Sequence, residues 1–435
     1  MKSEWKVTEL SNLVNELTVG FVGSMSQEYV DNGIVFFRSK NIKPYKLDWN
    51  DIKYISNEFH NKLQKSFLRP GDVVIVRTGN PGTSCVIPET IIEANCSDVV
   101  IARVNDEKLS AHFLSYFMNS IAKNQVSAHL VGAVQQDFNV GSAKKLKILL
   151  PSRNEQEIIV SILKTLDDKI ELNRKMNQTL EEMAQTLFKS WFVDFDPVHA
   201  KAKCSSDEEL ETAAKELGIS KEILELFPSE FEESELGMIP KGWEVKPLSS
   251  IAHYQNGLAL QKFRPLDESN YLPVLKITQL NKGYADGEEK ADLNINPECI
   301  VDSGDIIFSW SGTLIVDIWC GRKAALNQHL FKVTSKDFPK WFYYYWTKQH
   351  LYWFQHIAAS KAVTMGHIKR SHLDEALCCI PTETVFAKAE DLIGRLVEKT
   401  ISNRLEIQTL QKTRDTLLPK LLSGELDVSE LELKV

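Results

Sequence analysis

The residues best suited to do chemistry in this sequence sit in short polar and basic runs that directly follow apolar ones. Arg38-Ser39-Lys40-Asn41-Ile42-Lys43 comes after Ile34 to Phe37, and Lys276-Ile277-Thr278-Gln279-Leu280-Asn281 comes after Leu272 to Leu275. Arg77-Thr78-Gly79-Asn80 closes one Gly-Asp-apolar run and Trp310-Ser311-Gly312-Thr313 closes another. Lys, Arg, Asn, Gln, Ser and Thr are the side chains that hold phosphates and read base edges in the grooves of a duplex. Loops on a rigid scaffold can present them. The same residue types also fill ordinary solvated turns, so the runs alone leave both readings open.

No catalytic constellation competes with them. A methyltransferase acting on base amino groups needs a glycine-rich nucleotide loop and an Asn/Asp-Pro-Pro-aromatic motif. The nearest string, Asn80-Pro81-Gly82, lacks the second proline and the aromatic and reads as a turn. There is no Gly-x-x-x-x-Gly-Lys-Ser/Thr phosphate loop, no His-Glu-x-x-His helix and no Gly-x-Ser-x-Gly elbow. The ten histidines are dispersed; His350 and His356, six apart, do not share a metal-binding helical face. The seven cysteines form no Cys-x-x-Cys pair, as expected of a reducing compartment. Met1 to Leu10 carries no apolar signal core, and no apolar run approaches the roughly 18 residues of a membrane span. The expectation is a cytoplasmic, soluble chain with no metal, no cofactor of its own and no membrane.

A formal net charge of −8 argues against non-specific DNA binding until its location is considered. Eleven carboxylates lie between Ser205 and Glu235 against only Lys215 and Lys221, so the remainder is close to neutral. A local basic patch elsewhere is compatible with the total.

The elements that must position these runs occur twice. Trp5 (WKVTEL), Gly71 to Gly79 (GDVVIVRTG) and Pro151 recur as Trp243 (WEVKPL), Gly304 to Gly312 (GDIIFSWSG) and Pro381; the offset falls from 238 to 233 to 230 residues. After the prolines it holds at 230: Asn173-Arg174 falls on Asn403-Arg404 and Gln178-Thr179-Leu180 on Gln408-Thr409-Leu410. So long a period means two similar domains rather than a solenoid. Residues 1–150 and 240–381 read as mixed α/β, with short apolar runs punctuated by Pro-Gly and Asn-Gly turns. Trp341 to Trp346 (WFYYYW) reads as a buried helix rather than a base-stacking platform, because its counterpart Phe113 to Phe117 keeps only the apolar pattern.

Residues 151–195 and 382–425 read as long helices, with an acidic linker at 196–239 and a tail at 426–435. Ile159, Leu163, Leu166, Ile170, Asn173, Asn177, Leu180, Ala184, Leu187 and Trp191 alternate steps of four and three, a coiled-coil seam. Adding 230 gives Ala389, Ile393, Leu396, Thr400, Asn403, Ile407, Leu410, Arg414, Leu417 and Leu421. Each helix therefore has the other as its partner. Since a globular unit precedes each, antiparallel pairing about a pseudo-two-fold is expected to keep the units apart. Asn173 and Asn403 would then meet in the seam, hydrogen-bond and set the register; solvation of each at a splayed seam is the alternative.

Several strings resemble the specificity subunit of type I restriction-modification systems. Residues 146–159 (LKILLPSRNEQEII) look like the end of that family's recognition domain and the start of its first long helix. Phe188 to Val198 (FKSWFVDFDPV) resembles the exit from that helix, and Leu226 to Val245 the linker into the second domain. Gly304 to Gly312 with Leu326-Asn327-Gln328-His329 resembles a common recognition-domain type, and Leu417 to Leu426 (LLPKLLSGEL) the C-terminal ending. Thr382 to Glu390 departs from the pattern by lacking the Glu155-Gln156 pair, which puts a partner contact there in doubt.

The resemblance implies a non-catalytic subunit with two α+β target-recognition domains, each reading half of a bipartite site on double-stranded DNA. The helices would set the spacing and dock two adenine-N6 methyltransferase subunits, and motor-nuclease restriction subunits would join them. S-adenosylmethionine, ATP and Mg would belong to those partners. On this reading the DNA contacts are Arg38, Lys40, Asn41, Arg77, Asn80, Gln135 and Gln136 in the first domain. In the second they are Lys276, Thr278, Gln279, Trp310, Ser311, Arg322, Lys323, Asn327, Gln328, Lys361 and Lys369. The alternatives are the specificity chain of another restriction class with a fused partner enzyme, and a scaffold that joins two proteins and binds no DNA.

Overall fold

In a computed structural model, which describes residues 5–130, 137–360 and 366–431, the chain divides into two compact units. One comprises Met1–Lys169 with Leu410–Val435 and the other Ile170–Thr409.

The first unit is built on the run Val73–Val76, whose four residues are all buried. Side chains alternate across a strand, so Val73 and Ile75 enter one core while Val74 and Val76 enter another. A strand covered on both faces has to read as an unbroken apolar run. It lies in an antiparallel sheet of spatial order Ser84–Val86, Val73–Val76, Val99–Val104, Val14–Val19. A second sheet runs Tyr29–Val30, Lys53–Ile55, Ile34–Phe37, Ala94–Cys96, Phe67–Leu68, with Ile34–Phe37 and Ala94–Cys96 parallel. Lys6–Glu9 pairs with Lys147–Leu150 just before Pro151.

The second unit repeats this order, except that its mixed sheet has four described strands and no counterpart of Tyr29–Val30. Its antiparallel sheet is Val316–Ile318, Ile306–Ser309, Leu330–Thr334, His253–Asn256. Its mixed sheet is Lys290–Ala291, Leu272–Leu275, Ala324–Leu326, Ile300–Val301, with Leu272–Leu275 parallel to Ala324–Leu326. Glu244–Pro247 pairs with Leu377–Ile380. Left-handed glycines bracket the central strand in both copies: Gly71 (φ 83°) and Gly79 (φ 82°), Gly304 (φ 92°) and Gly312 (φ 68°). The chain turns there through a conformation that costs other residues more. The aromatic run is core, as its pattern implied: Trp341 to Thr347 are all buried in the helix Lys340–Ser360. The acidic linker is folded, with helices Asp196–Lys201, Asp207–Glu216 and Lys221–Glu225 and a hairpin of Phe231–Ser234 with Gly237–Pro240. Phe227 anchors it edge-on to Trp191, with ring centroids 5.0 Å apart.

The first long helix is Arg153–Phe192; the second runs as Glu383–Ala389, a π-turn Glu390–Gly394, and Arg395–Leu422. None of the twenty seam positions is exposed. Within the second unit Asn173 contacts Glu406 and Asn177 contacts Asn403, so the numbering runs in opposite directions. Within the first unit Asp167 contacts Arg414 and Leu163 shares a core with Leu418 and Leu421, in the same sense. The helices pair antiparallel.

The two asparagines do not bond to each other. Asn173 Nδ2 donates to Glu406 Oε2 at 2.9 Å, and Asn403 Nδ2 donates to Asn177 Oδ1 at 2.9 Å. The pairing centres nearer Lys175 and Leu405, so each asparagine faces a position beyond its counterpart. For Asn403 that position is Asn177, but the equivalent of Asn177 in the second helix is Ile407. Asn173 has no asparagine at that place and bonds Glu406.

Polar contacts fasten each globular part to the helix segments of its own unit. In the first unit Asp167 accepts from Tyr116 Oη (2.7 Å) and Arg414 Nη1 (2.6 Å), and the Arg414 guanidinium lies 5.2 Å from the Tyr45 ring centre. In the second, Arg404 Nη1 donates to Asp317 Oδ1 (2.8 Å) and to the Ile318 carbonyl (2.9 Å), while Glu181 accepts from Tyr344 Oη (3.1 Å) and Lys348.

The Glu155-Gln156 pair faces inward. Glu155 closes a capping box with Ser152 and accepts from Trp5 Nε1 at 3.2 Å. Gln156, fully buried, accepts from the Ser110 N–H at 2.8 Å and donates to the carbonyls of Lys108 (2.9 Å) and Pro151 (3.1 Å). In the second copy the same positions are Val385, buried, and Phe386, which packs on Phe342 and Trp341. One copy is latched by an amide and the other by a ring. Gln156→Ala leaves buried backbone groups unpaired and is expected to lower stability by about 1–3 kcal/mol. Urea unfolding of the full chain measures this, and an unchanged midpoint would contradict the latch.

Candidate nucleic-acid interface

Each unit gathers its polar runs where the parallel strands end. In the first, the Ser97 N–H donates to the Phe37 carbonyl at 3.0 Å, binding the ends of the two strands together. The Asp98 carbonyl then accepts from Ser39 Oγ at 2.7 Å and from the Arg77 N–H at 3.4 Å. One carbonyl thus joins the loop after Phe37 to the loop after Val76, and Asp98 adopts φ 56° to present it. The second unit repeats the junction. Asn327 N–H donates to the Leu275 carbonyl (3.1 Å) and Trp310 N–H to the His329 carbonyl (3.3 Å). The Arg77 carbonyl accepts from the Phe138 N–H and the Trp310 carbonyl from the Ile368 N–H, each at 3.0 Å, so a third segment joins at matching places.

Side chains at the first junction are basic. Asp51 carries Arg38 Nη2 at 3.2 Å, Lys53 at 3.0 Å and Lys40 on one carboxylate. Hydrogen bonds from Lys40, then Lys53 and Arg38, hold the Asp51 carboxyl well below the usual range. Arg77 is mostly buried and paired with Asp137; Asn80 is exposed. At the second junction Lys276 pairs with Glu289, and Gln279 and Lys282 turn to Asp286 at 3.3 Å and 3.2 Å. Thr278 and Lys369 are exposed, and Gln328 is half-buried beside His329. Arg322 and Lys323 are exposed too but precede Ala324–Leu326, at the other end of that strand near the turn at Ser303 and Gly304, and are not brought to this junction.

Four expected contact residues frame the loops instead. Asn41 is 1% exposed and its amide is used internally: Oδ1 accepts from the Arg38 N–H, and Nδ2 donates to the Asp48 and Asn50 carbonyls. Ser311 is buried with its hydroxyl 2.8 Å from His329 Nδ1. Asn327 is buried and accepts from the His329 N–H at 3.2 Å. Trp310 packs on Phe331 and donates its indole N–H to the Gln328 carbonyl at 3.1 Å. A loop has to satisfy its own buried backbone before it can present anything, and short amide and hydroxyl side chains do that best. Gln135, Gln136 and Lys361 lie outside the described residues.

Sequence reasoning passed over Lys53 and His329. Lys53 reaches the Arg38 loop only through the pairing of Lys53–Ile55 with Ile34–Phe37. His329 stands in the quoted Leu326 to His329 string, so that signal was present. Among the described residues no group of His, Cys, Asp and Glu is placed to hold a metal ion, and no helix is long and apolar enough to cross a membrane.

Comparison with known proteins bears on the family and the fold. The family model described as type I restriction modification DNA specificity domain matches residues 2–182 and again 240–382, once for each copy. The MjaIX type I restriction enzyme specificity subunit of Methanocaldococcus jannaschii is 30% identical over 311 residues, covering 69% of this chain and 65% of that one. The chain therefore spans a little under two thirds of that relative. The HindI specificity subunit of Haemophilus influenzae is 29% identical over 470 residues, 98% of this chain and all of that one. The solved S subunit of a type I restriction-modification system from M. genitalium shares the fold, with a TM-score of 0.55 at 13% identity over 96% of each chain. Two matches to one domain family, one for each copy of an internal duplication, place the chain in the type I restriction modification DNA specificity family.

Proposed function

We propose that this chain is the sequence-reading, non-catalytic subunit of a DNA methyltransferase and endonuclease complex, each unit reading one half of a bipartite site on double-stranded DNA. The observation that carries the reading is the loop junction built twice. In both units basic and amide side chains gather beyond the ends of the same parallel strand pair, on a backbone held by matching hydrogen bonds. Base edges are read by such side chains and phosphates by the cations among them. The partners are two adenine-N6 methyltransferase subunits and the motor-nuclease restriction subunits, which carry S-adenosylmethionine, ATP and Mg; the complex works in the cytoplasm, where the DNA is. Exposed Leu172, Met183 and Leu405 on the long helices support docking of partners there.

The paired helices act as the spacer. A helix rises 1.5 Å per residue, so inserting four residues in one of them adds about 6 Å, against about 3.4 Å per base pair of DNA. Such an insertion is expected to lengthen the gap between half-sites by about one or two pairs and leave both half-sites unchanged. Mapping of methylated adenines by single-molecule sequencing, with and without this gene and with the insertion variant, tests both statements. The expected result is a bipartite motif that vanishes on deletion; altered half-sites at constant spacing would refute the spacer.

Reading should also be modular. Arg77→Ala is expected to relax one half-site and Lys276→Ala the other, scored in the same methylation maps. Equal loss at both half-sites from either variant would count against separate readers.

A further inference from the structure

In both units the cation that follows the first parallel strand is already held by a carboxylate, and the two arrangements correspond. An offset of 238 residues, the one relating Trp5 to Trp243, places Arg38 on Lys276 and Asp51 on Glu289. Arg38 pairs with Asp51, and Lys276 with Glu289. The acid lies in each case in the connection leading to the neighbouring strand, Lys53–Ile55 or Lys290–Ala291. The duplication thus repeats the cation and its acid together, although the residue types differ.

These pairs are built to exchange. The Asp51 and Glu289 side chains are 51% and 61% exposed; of their cations Lys40 and Lys276 are 53% and 40% exposed, while Arg38 is 19% exposed. Ion pairs so open to water typically contribute only about 0–1 kcal/mol. The Arg77–Asp137 pair differs in its acid, 22% exposed against 51% for Asp51. Arg38 also donates to the backbone carbonyl of Asp51, so its guanidinium stays moored whatever the carboxylate does. Asp51 sits at φ 50°, a conformation that Asp and Asn tolerate. Three cations around one acid leave a local excess of positive charge and a geometry suited to an oxygen anion.

We propose that Asp51 and Glu289 are built-in stand-ins for a DNA phosphate: they hold Arg38, Lys40 and Lys53, and Lys276, in place and compete with the backbone of any duplex that approaches. The inference rests on the reading of this chain as a DNA-recognition subunit and adds the means by which its affinity is held down. A phosphate reaching either cluster has to displace the acid and then remain beside it. Each acid therefore cancels about one cation's worth of the counterion release that drives binding.

The test uses the full chain assembled with its methyltransferase partners and fluorescently labelled random-sequence duplex DNA, with anisotropy titrations at several salt concentrations. Asp51→Asn and Glu289→Gln keep shape and remove charge. Each is expected to tighten binding and to steepen the slope of log affinity against log salt by about 0.9, which amounts to about threefold more loss of affinity between roughly 50 and 200 mM salt. Glu222→Gln, an equal charge change on the helix Lys221–Glu225, should leave the slope at its original value. Weaker binding, or an unchanged slope in both variants with thermal melting intact, overturns the proposal and makes the acids struts of the loops. An original complex that shows no salt-dependent binding would instead defeat the DNA reading itself. Variants in two separate units keep the test decisive if one of them misfolds.

Discussion

The buried seam of the two long helices is the constraint on which the rest depends. A 40-residue helix with one apolar stripe cannot stay single in water, and its stripe is satisfied only by another of matching period. This chain supplies both, and the clamps are set against them: Tyr116, Asp167 and Arg414 in one unit, Arg404 with Asp317 and Glu181 with Tyr344 and Lys348 in the other. Each clamp joins a globular part to a helix through charged hydrogen bonds that are partly withdrawn from water, most so at Asp167 and Arg414, and such bonds strengthen as water is excluded. Within each unit the loops are therefore carried by a globular part that is clamped to that unit's own helix segments.

The duplication keeps backbone and changes side chains. Arg77 is answered by Trp310, Gln156 by Phe386 and Asn177 by Ile407, yet the strand orders agree and the hydrogen bonds at the loop junction recur within 0.1 Å of each other. Main-chain hydrogen bonds do not depend on side-chain identity, so a junction built from them can carry different side chains. The second copy also departs locally. The π-turn Glu390–Gly394 opens where the Trp341 indole donates to Glu390, a place where a Cβ on Gly394 would come within 2.7 Å of the Glu390 carboxylate. A bulky ring inserted beside a helix is a known cause of such widening.

Charge follows the same division of labour. The acidic total is concentrated in the folded segment after Phe195, while the junction loops keep their cations and, paired with them, carboxylates. Net charge describes the long-range field of a protein, and the contacts at a loop tip are decided at a few ångströms.

The sequence by itself determined the duplication, the long helices and their seam, the burial of the Trp341 to Trp346 run and the places where polar runs end apolar ones. These are properties of period and spacing, and they survive because burial acts on every turn or alternate residue alike. Only the tertiary structure decided which polar residues remain free. Asn41, Ser311 and Asn327 have the composition of readers, yet they close loops, because a buried N–H or carbonyl takes the nearest amide or hydroxyl. Lys53 joined the basic cluster through a strand pairing that no local pattern reveals, and Asn173 found Glu406 rather than Asn403 because the register of two helices is set by all their contacts together. Pattern along a chain specifies which face is buried; who meets whom across space is settled by packing.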